Sequence, residues 1–156
     1  MNKETAWTEV ITRLGTIPGI NKVYEGFHEV SSISDANKPC IMVEPDNTEV
    51  LEDNYDESGG NYGLEQLNLI VIILFIMYEK GKAVTGKTDA GVNMLGIFEW
   101  EKLVKDKLAG IPEALSYKVA KVGFGNVSYL RSVGIETKEM VRLVAIEVGL
   151  IIPYST

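Results

Sequence analysis

The sequence predicts an α+β fold: a mixed, largely antiparallel β-sheet with two α-helices packed on it. Three observations lead there. One segment repeats apolar residues at helical spacing, and a second does so later in the chain. Several short apolar runs are rich in β-branched residues. These runs come in pairs joined by short connections, which suits an antiparallel sheet better than repeated βαβ units. The expected order is α-β-β-long acidic loop-β-α-β-β, in a single domain over residues 1–156.

Trp7, Val10, Ile11 and Leu14 recur at i, i+3, i+4 and i+7, so residues 4–14 read as a helix with Gly15 beyond its end and Pro18 barring continuation. Residues 22–27 and 39–44 read as short strands, with the polar SSISDANK as a loop between them. The stretch 44–66 then holds eight acids (Glu44, Asp46, Glu49, Glu52, Asp53, Asp56, Glu57, Glu65) and no Lys or Arg, with Gly59, Gly60 and Gly63 near its end. It is expected to be a long polar loop, or a hairpin with a flexible tip.

Residues 67–78 are β-branched and aromatic almost without interruption, as in a central strand buried on both faces. Part of that burial is expected from a neighbouring subunit. After a turn-like EKGKAVTGKTDAG, a second helix is expected over residues 89–109, capped by Thr88 or Asp89. Met94, Ile97, Phe98, Trp100, Val104 and Leu108 form its apolar side, and Gly110 and Pro112 end it. Residues 117–122 read as a strand, Gly123, Gly125 and Asn126 as a turn, and 141–152 as the last strand, its apolar run interrupted by Arg142, Glu147 and Gly149.

Composition narrows the function classes. Hydrophobic residues are 46% and charged residues 24% of 156, an ordinary globular balance able to bury one core without staples. The net charge of −7 and pI near 4.8 disfavour non-specific binding to nucleic acid or anionic lipid. The single cysteine, Cys40, cannot form an internal disulfide, which suggests a reducing compartment. The N-terminal MNKETAWTEV lacks the apolar stretch of a secretory signal. The longest apolar run, residues 69–78, is far short of the roughly 20 residues that span a bilayer, so no membrane partner is expected.

One motif points to chemistry. GKAVTGKT at residues 81–88 fits the phosphate-loop pattern, in which Gly81 and Gly86 shape the loop, Lys87 reaches the β and γ phosphates and Thr88 holds magnesium at a helix N-terminus. Its context argues against that role. Half the chain precedes it, too few elements follow to build βαβ units, and Glu147 is the only approximation to a magnesium-binding acid. The stretch therefore reads as a connecting loop, with a small nucleotide-binding enzyme using Gly81, Gly86, Lys87 and Thr88 as the alternative.

Other candidates are weaker. GFGNVS at residues 123–128 is half of a dinucleotide fingerprint without a helix signal after it. His28 is the only histidine, which excludes a histidine-rich metal site, and it reads as a loop-edge residue. Cys40 reads as a small buried hydrophobe. The acids around Asp53 and Asp56 do not match calcium-loop spacing. No catalytic residue, metal or cofactor is expected.

The layout also carries a resemblance. An N-terminal helix leads into IPGINKVYEG (residues 17–26). A short strand, a long loop, a very apolar strand, one amphipathic helix and two closing strands follow, the last beginning VRLVAIEV (141–148). This resembles the tail terminator, or tail completion, proteins of long-tailed bacteriophages. The resemblance implies a structural, non-enzymatic subunit that closes the tail tube as a ring, usually a hexamer, and joins it to the head. Implied partners are further copies of the chain, the tail tube protein and head–tail connector proteins, with genomic DNA passing through the ring without specific binding. The implied location is the head–tail junction of the virion, or a phage-derived contractile particle, after assembly in the host bacterial cytoplasm. In that setting the acids Glu49, Glu52, Asp53, Asp56 and Glu57 are the interface candidates.

Overall fold

In a computed structural model, which describes residues 2–77, 82–89, 92–133 and 140–155, the chain is an α+β domain built on a five-stranded sheet. Helix α1 (Asn2–Gly15) precedes strands β1 (Lys22–Glu25), β2 (Cys40–Tyr55) and β3 (Asn61–Met77). A short helix α2 (Lys82–Thr85) leads to the small strands β4 (Lys87–Asp89) and β5 (Val92–Met94), which pair only with each other. Then come α3 (Ile97–Ala109), α4 (Ile111–Ala114), β6 (Lys121–Val133) and β7 (Met140–Ser155). The main sheet runs β1-β2-β3-β7-β6; β1 is parallel to β2 and every other pair is antiparallel.

The long apolar strand is central, as its composition predicts. Because strand side chains alternate, Leu67, Leu69, Val71, Ile73 and Phe75 share one face and are buried. Cross-strand partners place Val144, Ile146, Val148, Leu150 and Ile152 of β7 beside them, all buried. Ala6, Val10 and Leu14 of α1 and Trp100, Val104 and Leu108 of α3 close this core from above. Arg13 ties the two helices together, donating from Nη1 to the Lys107 carbonyl at 3.1 Å and thereby satisfying an orphan acceptor at the end of α3.

The opposite face has a different cover. Ile33, together with half-buried Tyr24 and Val30, packs on Cys40, Met42 and Leu74, forming a second small cluster. The chain itself therefore buries the upper half of this face. The lower half of the second face stays open.

Three expected boundaries move; one is the strand read over residues 117–122, which begins only at Lys121, residues 117–120 belonging to the turn before it. The second helix starts at Ile97 rather than residue 89: Thr88, Asp89 and Met94 lie in β4 and β5, and Gly96 is the cap. The Gly96 N–H donates to Glu99 Oε1 at 3.2 Å, and a Cβ at Gly96 would meet the Val84 carbonyl at 2.2 Å, so only glycine fits between α2 and α3. Gly123, Gly125 and Asn126 do not turn the chain; they lie inside β6, which bulges between Phe124 and Val127. Glu147 holds that bulge by accepting the Asn126 N–H at 3.2 Å. Of the two forms expected for the acidic stretch, the chain adopts the hairpin.

Candidate interaction surface

Residues 44–66 form a hairpin of two paired strands, the second of the two forms expected for them. β2 stays in register with β3 as far as Tyr55↔Asn61, with irregularities between Pro45 and Asn47 and between Val50 and Glu52. β7 flanks the other side of β3 down to Tyr62↔Ser155. Backbone pairing on both sides thus orders a segment whose composition alone could not. At the level of Glu65 the helix layer ends: Lys3 Nζ lies 3.6 Å from Glu65 Oε1, and Asn2 Nδ2 donates to the Pro153 carbonyl at 2.9 Å. Past that point the hairpin is a projecting arm with solvent on both faces.

The arm carries exposed apolar groups among its acids. Val50 is 65% exposed and Tyr55 is 74% exposed, with Leu51 and Tyr62 about half exposed. On the side away from β3, β2 has a neighbour only as far as Val43. The remaining edge is protected against promiscuous pairing by Pro45, by the two irregularities and by its carboxylates.

The five interface candidates separate into two groups. Asp56 and Asp53 are committed within the arm. Asp56 Oδ1 accepts from Ser58 Oγ (2.8 Å), Ser58 N (3.0 Å) and Gly60 N (2.8 Å). The Ser58 hydroxyl first, and then the backbone N–H groups, hold its carboxyl below the ordinary value. Asp53 Oδ1 accepts from Tyr154 Oη at 2.6 Å and from Asn61 Nδ2 at 3.2 Å. The hydrogen bond to Asp53 pushes the Tyr154 phenol up to about 12. Glu49, Glu52 and Glu57 are exposed, and among the described residues only Glu52 has a nearby donor, Asn54 Nδ2 at 2.8 Å. Those three are the carboxylates available to a partner.

The open half of the sheet adds a feature that motif reasoning missed. A groove of about 470 Å³ crosses the strands there, with Asp46, Glu49 and Glu147 on its walls and Lys121 as its cation. Its floor is Gly123 directly opposite Gly149. Alongside, Gln66 Nε2 donates to Asn68 Oδ1 (2.7 Å) and Asn68 Nδ2 to Asn47 Oδ1 (2.6 Å). The sequence signal was the break that Glu147 and Gly149 make in the apolar run of β7.

The phosphate-loop pattern does not assemble as its chemistry requires. Gly81 lies outside the described residues. Gly86 follows a four-residue helix, and Lys87 and Thr88 open a strand paired with Met94 and Asn93, whereas a phosphate cradle needs them at the start of a helix. Glu147, its expected acid partner, is engaged in the β6 bulge. His28 is exposed, its ring tilted at 51° against Tyr24 with centroids 4.6 Å apart. Cys40 is fully buried, and burial pushes its thiol up to about 11, which leaves it a hydrophobe rather than a nucleophile.

Among the described residues, no group of three or more His, Cys, Asp and Glu side chains could hold a metal ion, and no helix is long and apolar enough to cross a membrane. No protein-family model matches the chain, and a search of curated proteins finds no match.

Proposed function

We propose that the chain is a structural subunit of a phage or phage-derived tail, of the tail-terminator kind, which assembles as a ring on the end of the tail tube and joins it to the head. The observation that supports this reading most is the arm. It is ordered by β3 and β7, projects past the helix layer, and presents Glu49, Glu52 and Glu57 beside exposed Val50 and Tyr55. Rigid projections that combine carboxylates with apolar groups suit contacts between assembled subunits, where order before docking lowers the entropic cost. The open, polar half of the sheet is a second surface that a neighbouring copy would cover.

In this reading the ring is a homo-oligomer of the hexamer type. It contacts the tube protein on one side and connector proteins on the other, and DNA passes through without being read. The test is to shorten the arm, replacing residues 53–61 by a two-residue turn. The core should keep its secondary structure and the subunit should remain soluble, while the yield of joined, infectious particles falls by orders of magnitude. Normal particle yields from the shortened chain would remove the arm from assembly. A wild-type protein that stays monomeric at high concentration and on isolated tail tubes would remove the ring.

A further inference from the structure

The open groove and one other exposed feature are complementary. The groove's walls carry three acids against one lysine, so it selects a basic occupant. Its floor is bare backbone at Gly123, where an added Cβ would meet no atom within 4 Å, while the Gln66 and Asn68 side chains lie over the neighbouring Gly149. A bare patch at Gly123, bordered by the Gln66 and Asn68 amides and by acidic walls, suits an aromatic ring accompanied by a cation.

The described surface offers one such pair. Phe27 lies between Glu25 and Glu29, and Val50, Leu51, Tyr55 and Tyr62 lie in the acidic arm, so the groove would repel them. Phe98 and Tyr129 already face each other edge-on at 5.6 Å. Leu130, opposite Leu143, belongs to the same sheet face as the groove. Tyr117 remains. It is 66% exposed and is followed by Lys118, which is also exposed.

The turn that presents this pair is firmly built. Ser116 and Tyr117 both adopt positive φ (50° and 61°), a conformation that non-glycine residues keep only where surroundings enforce it. Tyr117 N donates to the Pro112 carbonyl at 2.8 Å and Lys118 N to the Leu115 carbonyl at 3.1 Å. Val119, immediately after, is fully buried. The result is a fixed knob rather than a loose loop.

We propose that Tyr117 and Lys118 of one copy dock into the groove of the next, the ring of Tyr117 over Gly123 beside the Gln66 amide and Lys118 facing Glu49 and Asp46. This deepens the ring reading and rests on it. Knob and groove are different patches of one chain, so the contact is head-to-tail, the kind that closes into rings rather than two-fold dimers.

The test separates the two surfaces. One variant, Tyr117→Ser with Lys118→Glu, removes the knob. A second, Gly123→Leu, fills the groove, and Glu49→Lys alters its wall without touching the backbone. Each is first checked for native circular dichroism and thermal unfolding, then weighed by sedimentation across a concentration series. Each should associate at least roughly tenfold more weakly than wild type. An equimolar mixture of the knob variant with either groove variant should form a capped heterodimer, because each supplies one intact patch. Two monomeric variants whose mixture also stays monomeric would overturn the docking. Variants that form rings like wild type would overturn it too and leave the ring reading standing. A wild-type chain that never associates, alone or on tail tubes, would remove both.

Discussion

The phenol of Tyr154 donates a 2.6 Å hydrogen bond to Asp53 Oδ1, reaching from β7 to β2 across the side-chain-free position of Gly63 on β3. A Cβ at Gly63 would lie 3.0 Å from that phenolic oxygen and 1.8 Å from the Glu52 carbonyl. One contact thus links three strands of the arm, and it depends on the glycine between them.

Tyr154→Phe should loosen the arm and leave the core. Amides of residues 52–62 should exchange faster with deuterium while the thermal midpoint changes little. The phenol's value is raised from 10.0 to about 12, so its contribution is complete below pH 10 and disappears as pH rises through 12. Ultraviolet titration should show Tyr154 ionising late, alongside Tyr129, whose hydrogen bond to Glu101 also raises it, and Asp53→Asn should bring only Tyr154 back toward the ordinary value. A Tyr154 that titrates near 10 in the wild type would refute the contact.

Asp56 should give the arm the opposite pH response. Its carboxyl is held below the ordinary value of 3.8, so the stabilisation is present above that value and is lost as pH falls through the lower folded value. Asp56→Ala should therefore speed exchange at the tip at neutral pH, and the difference from wild type should shrink as the solution is acidified. An equal difference at pH 7 and well below pH 3 would contradict this account.

Ile73 tests the core. It is fully buried in the middle of β3, with Ile41 on one side and Val144 on the other. Ile73→Ala should cost about 2–5 kcal/mol in urea unfolding, through lost burial and the cavity left behind. Glu57→Gln, exposed at the tip, should stay within about 0.5 kcal/mol. Comparable costs for the two would mean that the layers are wrongly described.

Lys87→Ala should leave folding, association and particle yield nearly unchanged, since Lys87 opens a strand and not a helix. Saturable binding of ATP or GTP at micromolar affinity, abolished by this substitution, is the contrary result.

The sheet's centre was legible because residues 67–77 are apolar at nearly every position, which few structures other than a central strand accommodate. α1 was legible from its spacing. The start of α3 was not, because Met94 falls by coincidence on the helical period, and because the true cap, Gly96, offers no side chain to recognise. Loop and hairpin stayed open for the arm because part of its order comes from β7, whose Tyr154 lies about a hundred residues from Asp53; no local pattern encodes that pairing. Gly123, Gly125 and Asn126 looked like a turn for the same reason. They remain extended because Glu147 and Gly149 stand opposite them, a register visible only after folding. Of the five interface acids, residue type alone could not tell the two committed internally, Asp53 and Asp56, from the three facing solvent.

β3 runs unbroken for 17 residues, roughly 55 Å at about 3.3 Å per residue, from beneath the helices to the end of the arm. The buried centre and the exposed tip are therefore one mechanical element. A partner gripping the tip pulls along a strand clamped on both sides, and the load is shared by many hydrogen bonds in shear before any single one breaks. In the proposed assembly the arm would serve as a ruler as well as a handle, its length setting a fixed spacing between a bound partner and the body of the subunit.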